Sequence, residues 1–172
     1  MSNAALKSKN QLLVELFNAR CHANEKGREM RPLPVVPTPP SFGVAKLCAR
    51  LILEEALEVA EAMGVAVRTI GNVYSRQVLI QDVEFVPAAK YGVSLVEAAD
   101  GFADLEVVLL AAASTCGIAH QPIFDIVANN NLQKFAPGHT FDEGGKLIKP
   151  PDFIGPTMRI RNELLQQGWD GR

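Results

Sequence analysis

A dense run of carboxylates in one short stretch constrains this chain more than any other feature. Residues 51–63 have the composition and spacing of a helix. At about 100° per residue, its four glutamates fall within an arc of roughly 120°; they are Glu54, Glu55, Glu58 and Glu61. Like charges three or four residues apart destabilise a helix by about a few tenths of a kcal/mol per pair. A bound cation would offset that repulsion, whereas a solvated acidic face is the alternative that this helix alone leaves open.

A second acidic helix follows later in the chain. The pattern Ser94-x-x-Glu97 is typical of a capping box at a helix start. Glu97, Asp100 and Asp104 then lie within about 60° of one another on a helical wheel, and the helix contains no Lys or Arg. Its apolar residues surround almost the whole circumference, which is typical of a buried helix. We therefore expect these carboxylates to be buried and to need a partner or a metal ion, because an unpaired buried charge is very costly.

Side-by-side packing of the two helices would bring two carboxylate pairs together. Glu55-x-x-Glu58 would then face Glu97-x-x-Asp100. Hard oxygen ligands of this kind suit Mg²⁺ or Mn²⁺. Because Mg²⁺ is usually held by a few carboxylates plus substrate phosphates, the pattern predicts metal-assisted cleavage of a phosphate ester or phosphoanhydride. A di-iron site needs Glu-x-x-His on two helices, and neither motif contains a His. A helical interaction protein with a non-catalytic acidic groove is the alternative from another class.

Composition and charge narrow the class of protein. The chain has 172 residues, 48% of them hydrophobic, with a net charge of -2, so we expect a single domain over residues 1–172 with its own core. Near-neutral charge argues against nucleic-acid binding, and no apolar run reaches the roughly 18 residues of a membrane span. We see no signal peptide. Three scattered cysteines without a CxxC pair favour reduced thiols and a cytoplasmic protein.

Further helices and extended segments are predicted from periodicity and from turn residues. Residues 1–6 are set aside as disordered or a tag remnant. A stretch rich in β-branched and aromatic residues, 73–86, predicts a short hairpin or an extended excursion between the acidic helices, from which we would not build a sheet. The remaining predictions are a first helix over 7–25, an extended proline-rich strap over 31–40, a helix from the Ser41 cap to residue 63, a helix over 122–135, a turn with extended arms over 141–151 and a last helix over 156–167.

Both acidic motifs, in this order, resemble the all-α nucleoside triphosphate pyrophosphohydrolases, the superfamily of MazG-like proteins, dimeric dUTPases and phosphoribosyl-ATP pyrophosphohydrolase. The matching residues are Glu54-Glu55-Ala-Leu-Glu58 and Glu97-Ala-Ala-Asp100. Residues 50–55 and 99–108 look like the family's "R-L-I-x-E-E" and "D-x-x-A-D-L-x-x-V" signatures. Asn131-Leu-Gln-Lys134 and residues 144–151 resemble elements of the phosphoribosyl-ATP pyrophosphohydrolase-like branch.

This resemblance implies a fold and a chemistry. The fold would be an all-α bundle of four to five helices, with the excursion between the acidic helices. The reaction would be Mg²⁺-dependent hydrolysis at the α-phosphorus, with Mn²⁺ as the alternative metal, giving a nucleoside monophosphate and pyrophosphate. The metal ligands would be Glu55, Glu58, Glu97 and Asp100. Glu54 would hold or deprotonate the attacking water.

The resemblance also implies supporting and substrate-binding residues. Asp104 would support the metal ligands from behind, and Arg50 would either pair with Glu54 or contact a phosphate. The nucleotide or its phosphates would contact Asn131, Lys134, Lys146 and Lys149. The substrate would be dUTP or another non-standard nucleotide, with phosphoribosyl-ATP as the alternative. We see no aromatic base-stacking signature, and the long interval over 65–93 leaves the accepted base open. The protein would form a homodimer or homotetramer.

Overall fold

A computed structural model of the chain describes residues 6–23, 33–71, 77–89, 92–135 and 137–172. Within these ranges the protein is mostly helical with one small antiparallel sheet, so the all-α prediction is confirmed only in this coarser form. The helices and strands are α1 (Lys9–Ala23), α2 (Phe42–Ala62), β1 (Val65–Thr69), β2 (Val83–Pro87), α3 (Leu95–Thr115), α4 (His120–Leu132) and α5 (Thr157–Gln166). The expectations for residues 1–5, for the last two residues of the predicted first helix (24 and 25) and for residues 31 and 32 of the strap lie outside the described residues.

The chain divides into two compact units. The central unit, Ser41–Ala112, contains α2, both strands and most of α3. The terminal unit, Met1–Pro40 with Ala113–Arg172, contains α1, α4 and α5. The single-domain reading of residues 1–172 stays a prediction.

In the central unit, α2 and α3 begin and end where local sequence signals place them. The Ser41 hydroxyl accepts a hydrogen bond from the amide of Val44 at 3.5 Å, and Gly64 follows the last turn of α2. The Ser94 hydroxyl accepts from the amide of Glu97 at 3.4 Å. The amide of Ser94 itself donates to the carbonyl of Ala62 at 2.9 Å. This bond ties the start of α3 to the end of α2.

The two strands form a hairpin between α2 and α3. Register runs from Val65 opposite Pro87 to Thr69 opposite Val83, and the amide of Ala88 donates to the carbonyl of Gly64 at 2.9 Å. A hairpin, one of the two alternatives predicted for 73–86, is therefore present, but our expectation of no sheet is wrong. Its second strand begins within that stretch and its first strand precedes it, while residues 73–76 lie outside the described residues. The first strand begins directly after Gly64, because Val65-Ala-Val-Arg-Thr69 itself alternates β-branched residues with small and polar ones.

Buried polar side chains organise the terminal unit. The amide group of Gln11 donates to the Ser114 hydroxyl at 3.1 Å and to the Ile118 carbonyl at 2.7 Å. Its oxygen accepts from the amide of His120 at 3.0 Å. In residues 33–40, the described part of the proline-rich strap, the Thr38 amide donates to the Cys116 carbonyl at 2.8 Å. The strap is thus attached to the turn after α3.

Helix α4 ends three residues before its predicted end. The amides of Gln133, Lys134 and Phe135 each donate to the carbonyl three residues earlier. This i→i+3 pattern tightens the chain after Leu132 and ends the α-helical geometry. The predicted last helix and the predicted turn are confirmed, since α5 spans Thr157–Gln166 and Phe141 pairs with Leu147 across the turn.

The burial predicted for α3 is wrong. Glu97, Asp100 and Asp104 are exposed, and Leu95 and Val96 are 80% and 82% exposed. An apolar sequence indicates that a helix packs against other apolar surface. It does not show that this surface belongs to the same chain. In the part of the chain that the structure describes, no single helix is long and apolar enough to cross a membrane, and α3 with α4 reaches that length only as a bent pair.

Candidate metal-binding cleft

An acidic cleft lies between α2 and α3 in the central unit. Its volume is about 670 Å³. Its walls carry five carboxylates, which belong to Glu58, Glu61, Glu97, Asp100 and Asp104. Four small residues complete the lining: Ala62, Gly92, Ser94 and Gly101. Among the described residues, no Lys, Arg or His lines the cleft, so its walls carry charge of one sign.

A glycine sets the approach of the two helices that form the cleft. Gly101 is buried, and a Cβ atom added to it would lie 3.0 Å from the Cγ2 atom of Val59. The side chains of Glu97 and Asp104 belong to the turns before and after Gly101. The sequence Asp100-Gly101 thus combines a carboxylate with the small residue that lets α2 come near it.

The electrostatics of Glu55 link the carboxylates of the two helices. Its side chain is half-buried. Partial desolvation, followed by the negative charges of Glu58, Asp104, Glu54 and Asp100, raises the pKa of the Glu55 carboxyl above its ordinary value. Since two of these charges belong to α2 and two to α3, carboxylates from both helices are close enough to interact. Such a field favours a proton or a cation.

Three of the four predicted metal ligands line the cleft directly. Glu58, Glu97 and Asp100 are wall residues. Glu55 is not a wall residue, and its charged neighbours connect it to the cleft. Asp104, predicted to support the ligands from behind, is itself part of the wall. The structure therefore brings both acidic motifs together, with Asp104 in a more direct position than the sequence indicated.

The predicted water-holding residue and its neighbour lie outside the walls. Glu54 and Arg50 are exposed, and neither lines the cleft. Among the described residues, no ion pair joins Arg50 to Glu54. The role of each stays a prediction.

Glu61 is a wall residue that sequence reasoning missed. The acidic arc of the helix included it, but the predicted metal ligands did not; in the structure Glu61 is exposed and lines the cleft. The signal was present, because Glu61 falls about 20° from Glu54 and about 60° from Glu58 on the helical wheel. It lies one turn beyond Glu58, at the end of α2 that is tied to Ser94.

The donor chemistry of the cleft fits a hard divalent cation, which prefers carboxylate oxygens. The side chains are spread along the walls, however. In the described residues, no group of three or more His, Cys, Asp or Glu side chains converges closely enough to hold a metal ion. Glu58, Glu97 and Asp100 are exposed and can change rotamer without disturbing a packed core. The set of metal ligands stays a prediction.

The predicted substrate-binding residues belong to the terminal unit. The Lys134 ammonium donates to the Asn131 side-chain oxygen at 2.7 Å, so these two predicted neighbours are together. The same ammonium lies 5.5 Å from the ring centroid of Phe153. Lys146 and Lys149 are exposed residues of the segment after Phe141.

No family model and no curated protein matches this chain. The resemblance to the pyrophosphohydrolases consequently rests on the motifs in the sequence. The cleft is an independent observation of the structure, and it contains carboxylates from both motifs.

Proposed function

We propose that this protein is a cytoplasmic, Mg²⁺-dependent nucleoside triphosphate pyrophosphohydrolase. It would hydrolyse its substrate at the α-phosphorus to a nucleoside monophosphate and pyrophosphate. The observation that carries the proposal is the cleft with five carboxylates from two helices and, among the described residues, no basic side chain. A cleft lined by charge of one sign focuses the field and concentrates ions of the opposite sign.

The first role of the carboxylates would be to bind a cation. Glu58, Glu97 and Asp100 would hold Mg²⁺ from the walls, with Glu55 as the fourth ligand. The neighbouring negative charges that help to raise the pKa of Glu55 would also favour a cation at this carboxylate. When bound, Mg²⁺ neutralises phosphate charge and lowers the pKa of a coordinated water. Glu54, about 40° from Glu58 around α2, would hold or deprotonate the attacking water.

The charge of the cleft also restricts what can enter it. A triphosphate alone is repelled by five carboxylates, so it would bind only together with cations. This requirement favours a metal–nucleotide complex over a free anion. Within that class we propose a non-standard nucleotide such as dUTP, with phosphoribosyl-ATP as the alternative within the enzyme class.

Exposed apolar side chains support association with further copies of the chain. Leu53 and Leu57 on α2, and Phe102 and Leu109 on α3, are all exposed. Contiguous exposed apolar surface usually marks an interface. We propose that these helices pair with a second copy in a homodimer or homotetramer. A monodisperse monomer in light scattering would contradict this part of the proposal.

The test is a nucleotide panel assayed for pyrophosphate release. It includes dUTP, the standard nucleoside triphosphates and phosphoribosyl-ATP, each with and without Mg²⁺. We expect release from at least one of them, only with metal present. Absence of release from every nucleotide would contradict the enzyme and leave the acidic groove of a non-catalytic interaction protein as the better interpretation.

A further inference from the structure

Three aromatic rings of the terminal unit form an edge-to-face series. The ring centroids of Phe135 and His139 are 5.4 Å apart with planes at 71°. Those of His139 and Phe141 are 5.8 Å apart with planes at 81°. This ring series is exposed: Phe135 and Phe141 keep 55% and 54% of their surface accessible to solvent.

Local hydrogen bonds hold both ends of the ring series. Phe135 follows the tight turns that end α4, with its amide bonded to the carbonyl of Leu132. Phe141 pairs with Leu147, and the next residue, Asp142, closes the turn between them. The Asp142 carboxylate accepts from the amide of Lys146 at 2.8 Å. A backbone held in this way loses little conformational freedom when a ligand binds to the rings.

A lysine stands next to the ring series along the chain. Lys134 directly precedes Phe135, and its ammonium is held by the Asn131 oxygen at 2.7 Å and lies over the Phe153 ring. The nearest acidic residue of the turn, Asp142, already has its carboxylate oxygen bonded to backbone amides. An exposed aromatic surface whose first ring directly follows a positioned lysine in the sequence complements a molecule with a planar ring and a phosphate.

We propose that the ring series stacks against the base of a nucleotide whose phosphate binds Lys134. The proposal rests on the proposed function for its class of ligand, and it concerns the terminal unit alone. Aromatic side chains stack on bases of any identity, since every base has a π-face. The rings that would contact the base on this surface are those of Phe135, His139 and Phe141, whose spacing in a loop has no helical or strand period.

Binding of AMP and of ribose 5-phosphate, followed by NMR without added metal, tests the proposal. Both probes carry a phosphate, and only AMP carries a base. A stacking contribution of the usual size predicts that AMP binds at least about fivefold more tightly than ribose 5-phosphate. In Phe135→Leu and Phe141→Leu, which keep an apolar side chain but remove the ring, this difference should shrink while the affinity for ribose 5-phosphate stays unchanged. Lys134→Met should weaken both probes by a similar factor.

Two readouts keep the proposal falsifiable if a Leu variant loses its structure. Phe135→Tyr keeps the ring and should keep the preference for AMP. In the wild type, AMP should shift the ring-proton signals of Phe135, His139 and Phe141, which ribose 5-phosphate should not. Equal affinity for the two probes in the wild type, or ring signals that do not respond to AMP, would overturn the proposal.

The same measurements separate this proposal from the proposed enzyme. They are repeated in Glu55→Gln, which should lose hydrolysis and keep the preference for AMP. Ring-dependent AMP binding without pyrophosphate release from any nucleotide would support the nucleotide surface and contradict the hydrolase. Pyrophosphate release with equal affinity for AMP and ribose 5-phosphate would contradict only the nucleotide surface.

Discussion

Two buried glutamines of the terminal unit contrast with the carboxylates of the cleft in the central unit. In the terminal unit, Gln11 and Gln167 are buried, and both ends of each side-chain amide are hydrogen-bonded. In the central unit, the polar groups of the cleft are carboxylates of one sign, and the wall residues Glu58 and Asp100 are exposed. The fold satisfies the amides of Gln11 and Gln167, whereas the cleft leaves its carboxylates available to a ligand.

This difference distinguishes polar side chains that stabilise the fold from polar side chains that can bind a ligand. A buried amide with all its partners fixes the packing around it, and losing it is costly because its partners stay buried. Carboxylates that are partly desolvated and lie near charges of the same sign lower stability, as the raised pKa of Glu55 indicates. Groups with perturbed pKa values cluster at functional sites. We therefore expect substitutions at the cleft of the central unit to lower activity, and substitutions of the buried amides of the terminal unit to lower stability.

The largest effect is expected on activity in the central unit. Glu55→Gln and Asp100→Asn each remove a negative charge that would bind Mg²⁺, and each should lower the rate of pyrophosphate release by at least about 100-fold. The folded state should be retained, as judged by circular dichroism. The matched control is Glu106→Gln, on α3 but not a wall residue of the cleft; it should keep the wild-type rate. Full activity in Asp100→Asn would refute the ligand assignment even if the reaction is right.

The next effect is expected on stability in the terminal unit. Gln11→Ala removes three hydrogen bonds and leaves the Ile118 carbonyl without this donor. We expect the free energy of unfolding to fall by about 3 kcal/mol in urea denaturation. Gln121→Ala is the control, because Gln121 is exposed and bonds only to Asp125 on its own helix among the described contacts; it should lose less than about 0.5 kcal/mol. Equal losses in the two variants would show that burial of the Gln11 network is not what stabilises this unit.

Metal binding should stabilise the central unit by somewhat less free energy than Gln11→Ala removes from the terminal unit. A ligand at about 100 times its Kd adds about 2.7 kcal/mol to the free energy of unfolding, which corresponds to a rise in Tm of about 5–10 °C. We expect this rise with MgCl₂ in thermal denaturation, and not with NaCl at matched ionic strength. The double variant Glu55→Gln with Asp100→Asn should lose the rise. An identical rise in that variant would place the metal elsewhere.

The smallest effect is the pH dependence that Glu55 adds to stability. Its carboxyl pKa is higher in the folded protein than the ordinary 4.5, so the folded state binds this proton more readily. The resulting stabilisation is fully present below the unfolded pKa and is lost as the pH rises through the folded pKa. From about pH 4 to about pH 7, the wild type should therefore lose stability relative to Glu55→Gln, measured in urea without divalent metal. The exposed turn residue Glu143 gives the control, since Glu143→Gln should follow the wild type. Parallel curves for the wild type and Glu55→Gln would contradict the electrostatic coupling.

Local signals in the sequence predicted much of the secondary structure correctly. The caps at Ser41 and Ser94 act on amides three residues away, and a helical wheel depends only on residues within a few turns. Such short-range patterns predicted both acidic helices and four of the five carboxylates of the cleft, all except Glu61. The hairpin was harder, because the pairing of 65–69 with 83–87 depends on partners far apart in the chain.

The sequence by itself determined that two helices each present a cluster of carboxylates. Only the tertiary structure decided which of them share a cleft, because that depends on where Gly101 meets Val59. Glu61 and Asp104 line the cleft, whereas Glu54 lies outside its walls. The exposure of α3 and the stacking of Phe135, His139 and Phe141 were also decided at this level. Burial and ring contacts depend on which segments pack against one another, and the periodicity of the sequence does not predict this packing.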